Sequence, residues 1–311
     1  MSRFKLHFII ISLPYLAFIA YNQIEYNKLF QKIKTQEELD QAEQKLYQAN
    51  SLIKFNTLFT DVRKSVYITN KYTKEVFDSH GIETHFVPLG FDANTFSNLN
   101  KTFFDDGRIT FNLCGKIERR KNQVRSIKSW LKKFGNNKKY SLQSCCYNSF
   151  ISKELNAKII NDALEGKRYF NFNNLEWMEK NKTYNEFLNS ADVVLAMSSG
   201  EGWAIPEFSS VAIGKHAVVL NAHAHTTWAN EKNSVLINSS KDKIDCYDNL
   251  FFKKGMDTNQ GQYFNYNEDE FIAGCEEVIK RVEINRVNEE GLKLQTEFTY
   301  EKTVDQLLSY I

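Results

Sequence analysis

An alternation along the chain restricts the fold more than any single motif. Short apolar runs suited to strands are each followed by a stretch whose apolar residues return every three or four positions. Residues 66–69, 85–88, 109–113, 192–197, 217–220 and 234–237 read as strands. Residues 70–80 read as a helix stopped by Gly81, and a helix from Gln123 puts Val124, Ile127, Leu131 and Phe134 on one face. Residues 268–282 and 300–310 read as closing helices. Parallel strands need crossover connections, so strands alternating with helices imply a parallel sheet covered on both faces. The expected class is α/β.

Length and composition set the scale. At about 150 residues per domain, 311 residues suggest two units. A hydrophobic fraction of 42% can fill two cores and excludes a disordered chain, while 3 Pro and 13 Gly exclude collagen-like and low-complexity readings. Forty basic against 38 acidic residues leave a formal charge of +2, so no nucleic-acid partner is expected. The five cysteines form no CxxC pair, and reduced thiols in a cytoplasmic protein are expected rather than a disulfide framework or zinc site.

Within the first hundred residues, Arg3 and Lys5 precede an apolar run at 7–20. The favoured reading is a strand at 8–12 that turns at Leu13-Pro14 into a second apolar segment. The alternative is a secretory-type signal or interfacial anchor, which would make the protein membrane-associated; the run falls short of the roughly 20 residues that cross a bilayer. Thr35 and Glu38 form a capping box ahead of the apolar row Leu39, Ala42, Leu46, Ala49 and Leu52. The polar stretch 98–107 reads as the linker between the two units.

Two loops carry the chemistry. Residues 116–139 hold ten basic residues and one acid, Glu118. The later ones solvate a helix, but Lys116, Arg119, Arg120 and Lys121 lie between a strand ending at Gly115 and that helix's amino terminus. Free N–H groups and cations there suit a phosphate. The second loop puts Glu201 between Gly200 and Gly202, directly after a strand, at the edge where open parallel sheets bind ligands. A carboxylate there accepts hydrogen bonds from sugar hydroxyls, and the glycines let the backbone approach. Glu207 opens the next helix, where its charge favours the positive end. His223 and His225 are two potential metal ligands without a third, so no metal is expected. Trp228 either covers a sugar face or packs in a core.

Three segments in order resemble the retaining glycosyltransferases of the GT-B fold, family 4. They are PLGFDANTF at 88–96, GKIERRKN at 115–122, and the 191–220 segment containing SSGEGWAIPEFSS. The resemblance implies two Rossmann-like domains, the amino-terminal one short or incomplete: an acceptor-side domain at 1–100, a donor domain at 106–285, and a carboxyl-terminal helix at 286–311 returning to the first. It also implies sugar transfer from a nucleotide-sugar donor, with retention, to a saccharide, lipid-linked or protein acceptor in polysaccharide biosynthesis. Peripheral membrane contact accompanies some of these acceptors. No cofactor is implied.

By the same resemblance Lys121 holds the donor diphosphate and Glu201 contacts the transferred sugar. These two are the candidate catalytic residues. Gly115, Lys116, Arg120, Gly202, Trp203, Glu207 and Ser209 complete the donor-binding set. Lys116 stands where the family often has arginine, which removes a bidentate grip that Arg120 can supply. Ser209 stands where the family has its second glutamate, on the ribose. A non-catalytic or truncated module that binds a nucleotide sugar or a partner without turnover is the alternative.

Overall fold

The computed structural model describes residues 9–12, 16–20, 65–100, 107–175, 178, 181–247, 253–255 and 262–310. The capping box and apolar row of 35–52 lie outside them.

The smaller unit is a four-stranded mixed sheet. Strands β1 (Ile9–Ser12) and β2 (Leu16–Ala20) pair antiparallel, β2 pairs antiparallel with β3 (Ser65–Ile68), and β3 pairs parallel with β4 (Thr84–Phe86). The apolar run at the amino terminus thus pairs as two strands. Helix α1 (Lys71–Ser79) makes the β3–β4 crossover. Asn70 caps it by accepting from the Thr73 N–H at 2.8 Å, and Phe77 packs on Val66, Ile68 and Ile82.

The larger unit contains β5 (Ile109–Gly115), α2 (Gln123–Phe134), β6 (Tyr140–Cys146), α3 (Lys153–Leu164), β7 (Phe172–Asn174), α4 (Asn181–Asn189), β8 (Val193–Ala196), α5 (Ile205–Ala212), β9 (His216–Asn221), β10 (Val235–Asn238) and α6 (Glu268–Ile284). Its six strands are parallel in the order β10-β9-β8-β5-β6-β7. Sequence order therefore reverses between β5 and β8, and the crevice beyond their carboxyl ends is the topological switch point of the sheet.

Each face has its own core. Phe111, Trp130, Phe134, Val218 and Phe271 pack on one side; Val194, Trp203, Phe208, Trp228 and Phe298 pack on the other. Burying each such side chain contributes about 1.5–3 kcal/mol. The alternating strand β5 is buried along both faces, which matches a sheet covered twice. All five cysteines are buried free thiols.

The last helix, α7 (Tyr300–Leu308), lies against the small unit. Thr303 donates to Pro88 O at 2.8 Å, and Tyr310 stacks on His85 with ring centroids 4.2 Å apart. Gly90 makes this possible, because a Cβ there would sit 2.5 Å from Tyr300 N. The return begins at Thr299 rather than at 286. Residues 286–298 stay with the large unit, where Arg286 pairs with Asp192 and Asn288 donates to the carbonyls of Lys215 and Asn233. The expected linker is pinned at its start, since Asn98 donates to Ile213 O and Asn189 accepts from the Leu99 N–H. Residues 101–106 lie outside the described set.

Candidate functional site

The loop after β5 is built to turn sharply. Gly115 has φ of +100°, and a Cβ on it would come within 3.3 Å of Lys121 Nζ. One 3-10 turn (Arg119–Lys121) follows, then Asn122 at φ +56° leads into α2. Asparagine tolerates that left-handed conformation, and here its side chain fixes it. Asn122 Nδ2 donates to Met197 O at 2.8 Å and Ser199 Oγ at 2.6 Å. The Ser199 N–H donates to Arg120 O at 2.6 Å. The two loops singled out in the sequence are therefore stitched together at the switch point.

The second loop, 197–204, ends at Ala204, also left-handed with φ +66°, and Pro206 sits in the first turn of α5. The donors that hold this loop come from three separate segments of the chain. His223 Nε2 binds Ser198 O at 2.7 Å, Arg120 donates to Gly200 O, and Trp228 Nε1 donates to Trp203 O at 2.9 Å. The small unit reaches in as well: Thr69 Oγ1 and Asn70 Nδ2 both donate to Gly202 O, at 2.8 and 2.9 Å.

This scaffold brings opposite charges into contact. Lys121 Nζ lies 2.8 Å and an Arg120 terminal nitrogen 3.2 Å from Glu201 Oε1. Arg120 Nε lies 2.9 Å from Glu118 Oε2, and Lys116 pairs with the other Glu118 oxygen. The side chains of Lys121 and Glu201 are only 11% and 8% exposed, so Coulombic attraction acts with little screening. Burial alone would push the Glu201 carboxyl up, but Lys121 and then Arg120 hold it well below the usual carboxylate range. Burial would likewise lower Lys121; Glu201 and Glu207 outweigh it and keep the ammonium charged. Glu207 is the opposite case. Burial, with Glu201 adding and Lys121 opposing, raises it to about 7.

Among the residues expected at the site, Lys116, Arg120, Lys121, Glu201 and Glu207 form one cluster, with Gly115 and Gly202 as the backbone that admits it. Trp203 and Ser209 are different. The Trp203 ring is committed to the apolar core against Phe208 and Phe298, and Ser209 is buried on α5. Trp228 packs on Phe208 in the same core. Sequence reasoning missed the bridging role of Glu118, although it is the only acid in the basic run. It also missed Thr69, Asn70 and Asn122, whose side-chain bonds to distant carbonyls leave no periodic trace. Among the described residues no group of three or more His, Cys, Asp or Glu is placed to hold a metal, and no helix is long and apolar enough to cross a membrane.

A carboxylate held ionised beside two part-buried cations, at the amino ends of α2 and α5, can meet a ligand that carries both hydroxyls and phosphate. No protein-family profile and no curated protein matches the sequence. Solved structures do match in fold. Sucrose-phosphate synthase from Thermosynechococcus elongatus aligns at 13% identity with a TM-score of 0.55, covering 78% of this chain and 57% of that one. HepE of Anabaena, solved with UDP and glucose, aligns at 11% identity and TM-score 0.55, covering 79% and 63%. The carboxyl-terminal domain of a glycosyl transferase group 1 family protein from Francisella tularensis aligns at 11% and 0.50, covering 67% and 97%. The chain thus spans less than two thirds of the length of the first two. The fold is α/β, that of the GT-B glycosyltransferases.

Proposed function

We propose that the protein is a glycosyltransferase that moves a sugar from a nucleotide-sugar donor, with retention, to a saccharide, lipid-linked or protein acceptor at the cytoplasmic face of polysaccharide synthesis. One observation carries this reading: Lys121 and Arg120, from the loop after β5, meet Glu201, from the loop after β8, at the switch point of a parallel sheet. Solved glycosyltransferases of the same fold, one of them with UDP and glucose bound, support it.

In this reading the donor diphosphate lies on Lys121, Arg120 and Lys116, against the N–H groups that open α2 and α5. Glu201 accepts hydrogen bonds from hydroxyls of the transferred sugar. Charge grows on the leaving diphosphate in the transition state, and preorganised cations stabilise it without a metal cofactor. Before any donor binds, the cations and Glu201 are in direct contact. Donor binding therefore exchanges the Lys121–Glu201 ion pair for two contacts with the ligand, one at each of its ends. Glu207 stays below Lys121 as a second acid that keeps the ammonium oriented once Glu201 has turned to the sugar.

The test pairs binding with turnover. A panel of UDP-, GDP- and ADP-sugars is screened by thermal shift, because a ligand that binds only the native state raises the midpoint. One donor is expected to stabilise the protein and to release its sugar slowly. Glu201→Ala and Lys121→Ala should each abolish that release while the fold persists. Release surviving both substitutions removes the assignment.

A further inference from the structure

The loop that carries Glu201 is held from behind by a residue outside every recognised motif. His223 is wholly buried and sits at φ +44°, a conformation costly for a residue with a side chain. Its Nε2 faces Ser198 O at 2.7 Å, and a carbonyl only accepts, so the hydrogen-bond network assigns the proton to Nε2. Ser198 in turn donates its hydroxyl to Gly200 O at 3.3 Å, the carbonyl of the residue that precedes Glu201. The imidazole therefore grips the loop three positions before the acid expected to touch the sugar, and the Ser198 hydroxyl carries the hold on to Gly200.

Burial, reinforced by the neighbouring ring, keeps His223 from charging. His225 lies with its centroid 4.4 Å away and donates from Nδ1 to Leu220 O at 2.9 Å. Two imidazolium ions so close and so buried would repel without screening. Burial and then His225 hold His223 well below its ordinary value, and burial brings His225 down to about 4. The donor tautomer is therefore constant at neutral pH, which suits a brace and not a proton carrier. Arg120 and Asn122 hold the same loop, but Arg120 belongs to the charge cluster and Asn122 fixes its own turn. His223 contributes neither charge nor turn.

We propose that His223 is a positioning residue that fixes the Glu201 loop through Ser198, and so aligns the carboxylate with the donor sugar without touching the diphosphate. The alignment with the sugar rests on the glycosyltransferase reading; the fixing of the loop does not.

The experiment uses the full chain with His223→Phe, which keeps a ring and removes the donor, His223→Gln, which returns an amide donor, and Ser198→Ala, which cuts the link at the hydroxyl. Amide hydrogen exchange of residues 199–203 is compared with that of α6, alongside kcat for sugar release and the Kd of the nucleoside diphosphate of the donor. His223→Phe should speed exchange in the loop about tenfold with α6 unchanged. It should also lower kcat about 10–100-fold, the scale of a small misplacement of a reacting group, with Kd within about twofold. His223→Gln should recover most of both, and Ser198→Ala should lower kcat while sparing Kd. Unchanged loop exchange in His223→Phe, or a loss of Kd equal to the loss of kcat, overturns the proposal. Should His223→Phe fail to fold, Ser198→Ala with unaltered kcat overturns it equally. A wild-type protein that binds and hydrolyses no nucleotide sugar refutes the glycosyltransferase reading instead, and the exchange comparison still decides whether His223 holds the loop.

Discussion

At the amino ends of β5, β8 and β9, buried charge closes on itself. Asp192 accepts from the Thr110 N–H at 2.9 Å and pairs with Arg286 at 3.3 Å, Lys215 donates to Asn189 O at 2.9 Å, and His216 bonds Asn285 O at 2.8 Å. At the carboxyl ends of the same strands, buried polar atoms are left without a protein partner. They include Glu207 Oε2, His223 Nδ1 and His225 Nε2. Each such group costs about 1–3 kcal/mol. The strands are shared, so the sheet itself does not explain the contrast. One end is arranged for stability, while the other holds polar capacity in reserve at the place where a ligand is proposed to bind.

The sharpest way to break this contrast is Glu201→Gln. It keeps the shape and removes the charge; sugar release should fall at least about 100-fold, while the melting temperature moves by only a few degrees because Glu207 still faces Lys121. A collapse of stability with release intact would make the carboxyl end a structural brace like the amino end.

Glu207 provides a pH-dependent version. Its folded value of about 7 lies above the ordinary carboxylate value, so the folded state holds the proton more tightly. That stabilisation is complete below the unfolded value and is lost as pH rises through about 7. Urea unfolding should therefore show stability declining by about 1–3 kcal/mol from pH 4.5 to 8, and Glu207→Gln should flatten the decline. Glu201, held low by its cations, acts in the opposite sense, but its window lies further into acid. An identical slope in wild type and variant would place the titration elsewhere.

Asp192→Asn probes the other end. Arg286 would lose its ion pair while Thr110 keeps an acceptor, so about 1–2 kcal/mol of stability should go, with donor affinity unchanged in calorimetry. The smallest effect is expected from Lys215→Met. Burial lowers this ammonium to about 8, so its charge opposes folding at neutral pH, and that opposition fades as pH climbs from about 8 towards the unfolded value. Removing it should change stability by about 0–1 kcal/mol in either direction, read from the same unfolding curves at pH 7.

Much of the large unit was legible because its signals are local. The expected strands at 109–113, 192–197, 217–220 and 234–237 all fall on β5, β8, β9 and β10, and the helix from Gln123 shows the anticipated face, with Ile127, Leu131 and Phe134 buried. Strand β6 was not legible. Its sequence YSLQSCC buries Ser141, Gln143 and Ser144 inside a sheet covered on both faces, so no alternation marks it. The buried asparagines leave no mark in the sequence for a related reason. Asn171 donates to the carbonyls of Phe134, Asn137 and Tyr140, and Asn189 binds both Ser97 O and Asn185 O. By composition such residues suggest surface, yet here they fasten loops inside the protein. In the site, the cations and Glu201 could be named from the two loops, but the direct contact between them, the bridge through Glu118 and the brace from His223 could not.

By itself, the sequence determined the alternating elements, the turn at Gly115 and the basic loop beside it, because backbone preference and apolar periodicity act over a few residues. The tertiary structure alone decided which charges meet. Lys121 and Glu201 stand 80 positions apart, and they touch because the strand order sets β8 beside β5. That pairing is made by hydrogen bonds and core contacts between distant segments, and such contacts have no period along the chain.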